Sequence, residues 1–77
     1  MRKTRVLIAD DEVLIRKIIA DVLEEQGMQV AGLAANSQLA IAKIPQVNPD
    51  VIILDLEFDG LTGLRTLMDI RKSYPVL

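Results

Sequence analysis

The sequence predicts an α/β fold, a doubly wound parallel sheet with helices on both faces, and three observations carry that expectation. Apolar runs begin at residues 5, 28 and 51, so each start lies 23 residues after the last. The stretches between them follow a helical period rather than a two-residue alternation. The runs themselves, "RVLIA" and "VIIL" above all, lack polar alternation, as strands covered on both faces do. Strands alternating with helices imply parallel pairing through right-handed crossovers.

The first strand is "RVLIA" (5–9), closed by Asp10 and Asp11. "EVLIRKIIADVLEEQG" (12–27) then takes up a helical period. Leu14, Ile18 and Val22 fall four apart, as do Ile15, Ile19 and Leu23, which predicts one wide apolar face. Glu12 suits a helix start and Gly27 a helix stop. "MQVAGLAA" (28–35) reads as a second, weaker strand, and Asn36-Ser37 can cap a short helix through Ile44 that ends near Pro45. "NPD" (48–50) signals a turn before "VIIL" (51–54), the third strand. The loop "DGLTG" leads into a helix from Leu64 to Lys72, Tyr74-Pro75 closes it, and "VL" at the end reads as the start of a fourth strand.

Composition narrows the chemistry. The chain has 77 residues, 51% hydrophobic and 26% charged, with a net charge of −2, which fits one small globular domain. No apolar run reaches the ~18 residues a membrane span needs, and the basic start is too short in its apolar part for a signal peptide. Arg2, Lys3 and Arg5 read as a solvated lead-in, and the acidic balance argues against nucleic-acid binding by this segment. Cysteine and histidine are both absent, so disulfides, thiolate nucleophiles, Cys/His zinc sites and imidazole-based triads are excluded. Carboxylate, amine and hydroxyl chemistry is what is left. The lack of cysteine fits a cytoplasmic setting.

"DLEFDG" (55–60) opens like a calcium loop, with Asp55, Glu57, Asp59 and Gly60 in step. Such a loop needs a bidentate carboxylate at its twelfth position, and the twelfth residue counted from Asp55 is Thr66. It should also sit between helices, whereas "VIIL" is β-branched and strand-like. The calcium pattern is therefore only half present. The other setting is a strand end. Asp10, Asp11 and Asp55 all close strands, and ligands of open parallel sheets bind outside the carboxyl ends of strands, where strand order reverses. Taken singly, Asp10 or Asp11 suits a helix cap, Asp55 a solvated strand end, and Glu57, Asp59 and Gly60 a polar turn. If strand order is 2-1-3, strands one and three are neighbours, and three acids at their ends with no basic residue in their loops repel one another unless a cation sits among them. Mg²⁺, which takes one or two carboxylates, waters and a phosphate oxygen, suits a site of this size.

"RVLIADDEVLIRKIIADVLEEQG" followed by "NPDVIILDLEFDGLTGL" strongly resembles the receiver domain of two-component response regulators. The resemblance implies a flavodoxin-like sheet with the strand order 2-1-3-4-5. It implies that Asp55 is the phosphoacceptor, taking a phosphoryl group from a sensor histidine kinase. It also implies that Asp10 and Asp11 hold Mg²⁺ with Asp55, one acid directly and one through water, and that Glu57 contributes its backbone carbonyl. On that basis the chain is a switch and not an enzyme in its own right, beyond catalysing its own phosphorylation and dephosphorylation.

Two departures accompany the resemblance. Receivers commonly carry Met-Pro where this sequence has Phe58-Asp59. The fourth and fifth βα units of the family, with a switch hydroxyl and a phosphate-pairing lysine, have no counterpart within 1–77, so this segment is expected to be an incomplete receiver truncated after its third βα unit. An output domain, DNA-binding and so transcription-regulating or else enzymatic, is expected beyond Leu77. For the 77-residue segment alone, a third strand largely unpaired on its outer side implies self-association through that strand or only partial folding. Two alternatives belong to other classes. An aspartate-nucleophile phosphohydrolase would show a second Asp two residues after the nucleophile, and position 57 is Glu. A nonphosphorylated interaction module would not respond to Mg²⁺.

Overall fold

A computed structural model describes residues 2–55 and 63–73. Three strands and three helices alternate: β1 (Arg5–Ala9), α1 (Val13–Glu25), β2 (Gln29–Ala34), α2 (Ser37–Val47), β3 (Val51–Leu54) and α3 (Gly63–Ser73). The sheet is parallel with β1 in the middle, in the order β2-β1-β3, as the resemblance implied. The pairing of β1 with β3 is regular, Val6 to Val51 through Ala9 to Leu54. Between β1 and β2 the register slips by one residue after Val6, so that Leu7 lies opposite Gly32.

Burial follows the central position of β1. Val6, Leu7, Ile8 and Ala9 are all buried, which explains why this run tolerates no polar residue. Leu7 packs with Ile44 of α2 and Ile70 of α3, flanked by Ile41 and Ile52, while Ala9 meets Ala34 and Ala40 beside Leu54. These odd-numbered residues of β1 face α2 and α3. Val6 and Ile8 point the other way by strand alternation, to the side where α1 packs on β1 and β2. Gly32 lets α2 approach the sheet: a Cβ there would stand 3.1 Å from Leu7 Cδ1 and 3.4 Å from Val47 Cγ1.

The helix ends show how the sequence sets them. At the end of α1, Gly27 takes a left-handed φ of 84°, its N–H donates to the Glu24 carbonyl, and the Met28 N–H reaches back to Leu23. That pair of bonds satisfies two carbonyls that a helix end otherwise leaves bare. Asn36 caps α2 by accepting from the Leu39 N–H at 2.8 Å.

Three expectations need correction. First, α2 does not end near Pro45 but runs through it to Val47. The ring removes only the bond to the preceding turn, and Asn48, with a left-handed φ of 50°, still donates to Ile44 at 2.9 Å. Second, the apolar face of α1 is not buried as one surface. Arg16, Ile19, Ala20 and Leu23 are half-buried, whereas Leu14, Ile18 and Val22 stand at least half exposed. The helix turns one edge of its wide stripe to the sheet and leaves the other uncovered among the described residues. Third, the basic lead-in is not merely solvated. Arg2 donates to both carboxylate oxygens of Asp50, at 3.0 and 2.5 Å, and Arg5 Nε donates to the Val47 carbonyl at 2.8 Å.

Candidate functional site

Backbone pairing carries the site into place. The sheet hydrogen bonds continue one residue past each strand: the Asp10 N–H donates to the Ala34 carbonyl and the Asp55 N–H to the Ala9 carbonyl, both at 3.1 Å. Asp10 and Asp55 therefore leave the tips of adjacent parallel strands together, and Asp11 follows in the loop to α1. The structure brings all three sequence-predicted acids into one cluster, with a carboxylate oxygen from each lying within 4.8 Å of the others. Asp10 is buried, Asp55 half-buried and Asp11 exposed. Glu57 and its carbonyl, together with Phe58, Asp59, Gly60 and the fourth-strand start at Val76 and Leu77, lie outside the described residues.

Asp10 is held from every side. Its Oδ1 accepts from the Glu12 N–H at 2.9 Å, and its carbonyl accepts from Arg16 Nη1 at 2.7 Å. Glu12 stands at the cap position of α1 without a capping bond of its own, so Asp10 supplies the acceptor its backbone needs. The capping role considered for Asp10 is thus partly real. It leaves lone pairs to spare, because a carboxylate can accept about four hydrogen bonds.

The donor set suits a small hard cation. Oxygens bound about 2.1 Å from one octahedral ion lie about 3.0 to 4.2 Å apart. A cluster spanning at most 4.8 Å lies close to that range. The sequence has no Cys thiolate or His imidazole to favour zinc or copper.

Sequence reasoning missed Arg16. A signal existed: Arg16 interrupts the stripe shared with Ile19, Ala20 and Leu23, where a charged head must find a partner. It also missed the clamp at the opposite end of the sheet, where Asp50 takes Arg2 through its side chain and Arg5 through its backbone N–H. The Arg2 hydrogen bond, followed by that of the Arg5 N–H, holds the Asp50 carboxyl below its ordinary range, and Asp50 holds Arg2 above its own.

Central β1 flanked by β2 and β3, with carboxylates at neighbouring strand tips, defines a doubly wound α/β domain with an acidic strand-end cleft. The chain belongs to the response regulator receiver domain family, whose pattern matches residues 6–77. It is 51% identical to a protein-glutamate methylesterase/protein-glutamine glutaminase of Trichodesmium erythraeum, over all of this chain and 22% of that protein. A protein of the same name from Geobacillus kaustophilus is 40% identical over 99% of this chain and 22% of its own length. The chain thus spans about a fifth of the curated relatives it matches. Among solved structures it resembles the response regulator domain of Thermotoga maritima CheB, with a TM-score of 0.86 and 36% identity. That likeness covers 97% of this chain and 57% of the other. A CheY-like receiver domain protein of Methanospirillum hungatei has a TM-score of 0.84 at 27% identity, covering 96% of this chain and 58% of its own. No described helix is long and apolar enough to cross a membrane.

Proposed function

We propose that this receiver domain takes a phosphoryl group onto Asp55 in a reaction that needs Mg²⁺ held by Asp10, Asp11 and Asp55. The observation that supports it most directly is the meeting of these three carboxylates within 4.8 Å at the carboxyl ends of the central strands. In the transfer, a carboxylate oxygen of Asp55 forms a bond to phosphorus as the phosphorus–nitrogen bond of a phosphohistidine on a sensor kinase breaks. The electron pair of that bond returns to the imidazole, and the product is an acyl phosphate. Bound Mg²⁺ would neutralise charge on the phosphoryl oxygens. Asp10 and Asp11 orient the cation, and the backbone carbonyl of Glu57 is the further ligand the family resemblance suggests. The Asp55 N–H bond to the Ala9 carbonyl holds the backbone of the nucleophile at the tip of the sheet.

Residues 1–77 then correspond to the first three βα units of a receiver, in keeping with coverage of 57% of the Thermotoga maritima domain. The names of the relatives favour an enzymatic output joined to it, a methylesterase and glutaminase acting on protein side chains, over a DNA-binding one. The whole protein would then be an enzyme switched by phosphorylation, working in the cytoplasm beside its kinase. A phosphohydrolase acting alone is not favoured.

The test compares the full chain with Asp55→Asn, each incubated with Mg²⁺ and acetyl phosphate. The intact protein gains one phosphoryl group, mapped to Asp55 by peptide mass, and Asp55→Asn gains none. Label that persists in the variant at Asp10 or Asp59 overturns the assignment.

A further inference from the structure

Arg16 closes the first turn of α1, and its guanidinium reaches back to the loop that carries the acids. Its Nη1 donates at 2.7 Å to the carbonyl of Asp10, in a partly buried setting. Asp10 is thereby bonded through all its polar parts: N–H to Ala34, carbonyl to Arg16, and carboxylate to the Glu12 N–H. The first bond fixes Asp10 to the sheet and the third fixes it to the start of α1. Among the described residues, the Arg16 bond is the one that ties the Asp10 carbonyl to α1, whose first turn the Arg16 N–H closes by bonding to Glu12 at 3.0 Å. We infer that Arg16 is a positioning residue of the metal site, holding the peptide of Asp10 so that its carboxylate and that of Asp11 face the Asp55 tip. This rests on the phosphoacceptor reading above and goes beyond it by assigning a residue outside the acidic set.

Two effects of Arg16 oppose each other. A cation beside three carboxylates repels an incoming divalent ion, and salt screens that repulsion beyond ~8 Å at physiological strength and more closely still at higher salt. The hydrogen bond acts the other way, and salt does not remove it. Groups that orient metal ligands typically change affinity about 10- to 100-fold when lost. Because this bond acts on a backbone carbonyl and not on the carboxylate itself, the lower end applies.

The experiment uses the full chain, with Arg16→Met, which loses charge and donor, and Arg16→Lys, which keeps both. Phosphorylation by acetyl phosphate is followed against Mg²⁺ concentration in about 0.5 M KCl, where charge effects are short-ranged. The expected result for Arg16→Met is a Mg²⁺ midpoint about tenfold higher, with the rate at saturating Mg²⁺ close to wild type. Arg16→Lys is expected to restore the midpoint to within about threefold, and Asp55→Asn serves as the unlabelled control. A fall in melting temperature with an unmoved midpoint would mean that Arg16 serves the fold alone, and overturns the inference. So would a lower midpoint in Arg16→Met, which would show charge repulsion to dominate. A wild-type chain that takes no label at all defeats the phosphoacceptor reading itself, a failure visible before either variant is compared.

Discussion

Asp10 and Asp11 are adjacent in sequence and belong to one cluster, but only one of them also supports the fold, so replacing each with alanine separates ligand from scaffold. Asp11 is exposed, and among the described residues it accepts no hydrogen bond. Removing it costs the site one of three carboxylates. Unit charges 4 Å apart attract by about 1 kcal/mol in water, so a divalent cation loses about 2 kcal/mol, or about thirtyfold in Kd. Without Mg²⁺ the same change relieves repulsion among carboxylates within 4.8 Å, so stability should hold or rise by about 0.5 kcal/mol. Asp10→Ala should weaken Mg²⁺ as well, but it also strands the Glu12 N–H, which Asp10 Oδ1 accepts at 2.9 Å in a partly buried place. That adds a loss of about 1 to 2 kcal/mol in the absence of metal. Calorimetric titration with Mg²⁺ gives the affinities, and urea unfolding without Mg²⁺ gives the stabilities. Asp11→Ala that binds Mg²⁺ as tightly as the wild type would refute the cluster as a metal site. Equal destabilisation by the two substitutions would refute the division of labour.

Leu7→Ala should cost about 3 kcal/mol in urea unfolding, because Leu7 is fully buried between Ile44 and Ile70; a loss under about 1 kcal/mol would mean that α2 and α3 close over the gap. The Asp50 carboxyl is held below its ordinary range, so the Arg2–Asp50 clamp contributes stability in full above the unfolded carboxylate value of about 4 and loses it as pH falls through the lower folded value. Asp50→Asn should therefore flatten the dependence of stability on pH below about 4, and an unchanged slope would show that the clamp adds nothing. The 77-residue segment studied alone should self-associate, because β3 pairs only with β1 among the described residues while Leu67 and Met68 of α3 are exposed. Light scattering that shows a cooperatively melting monomer at high concentration would count against that edge as the point of contact.

The strands were easiest to read. β1 and β3 fall on the residues expected from their apolar runs, β1 because it is buried from Val6 to Ala9 and β3, only half-covered, because its residues are apolar and mostly β-branched. Gly27 marked the end of α1 because only a left-handed residue closes that cap. Pro45 misled because a proline in a final turn removes one bond, whereas the rule that it breaks helices concerns interiors. The stripe of α1 was legible as apolar but not as half-covered, since periodicity fixes which residues share a face and not how far a neighbour overlaps it. In the site, the three aspartates could be gathered because each stands at a strand end, where topology alone sets the place. Asp50 could not, because its partners Arg5 and Arg2 lie 45 and 48 residues away, whereas Arg16, whose partner Asp10 is six residues off, left a signal in the interrupted stripe.

The strand from which Asp10 emerges is bonded along both edges and shielded above and below. Backbone of that kind opens last when a protein breathes, and its amides exchange with solvent at rates close to those of global unfolding. The acids are in effect mounted on the stiffest beam of the molecule. Charge added at their tips cannot be absorbed by the beam giving way, so the disturbance must travel outward into parts of the chain that move more cheaply. Hydrogen exchange should therefore find Leu7 and Ile8 equally slow before and after phosphorylation, with every measurable change lying elsewhere.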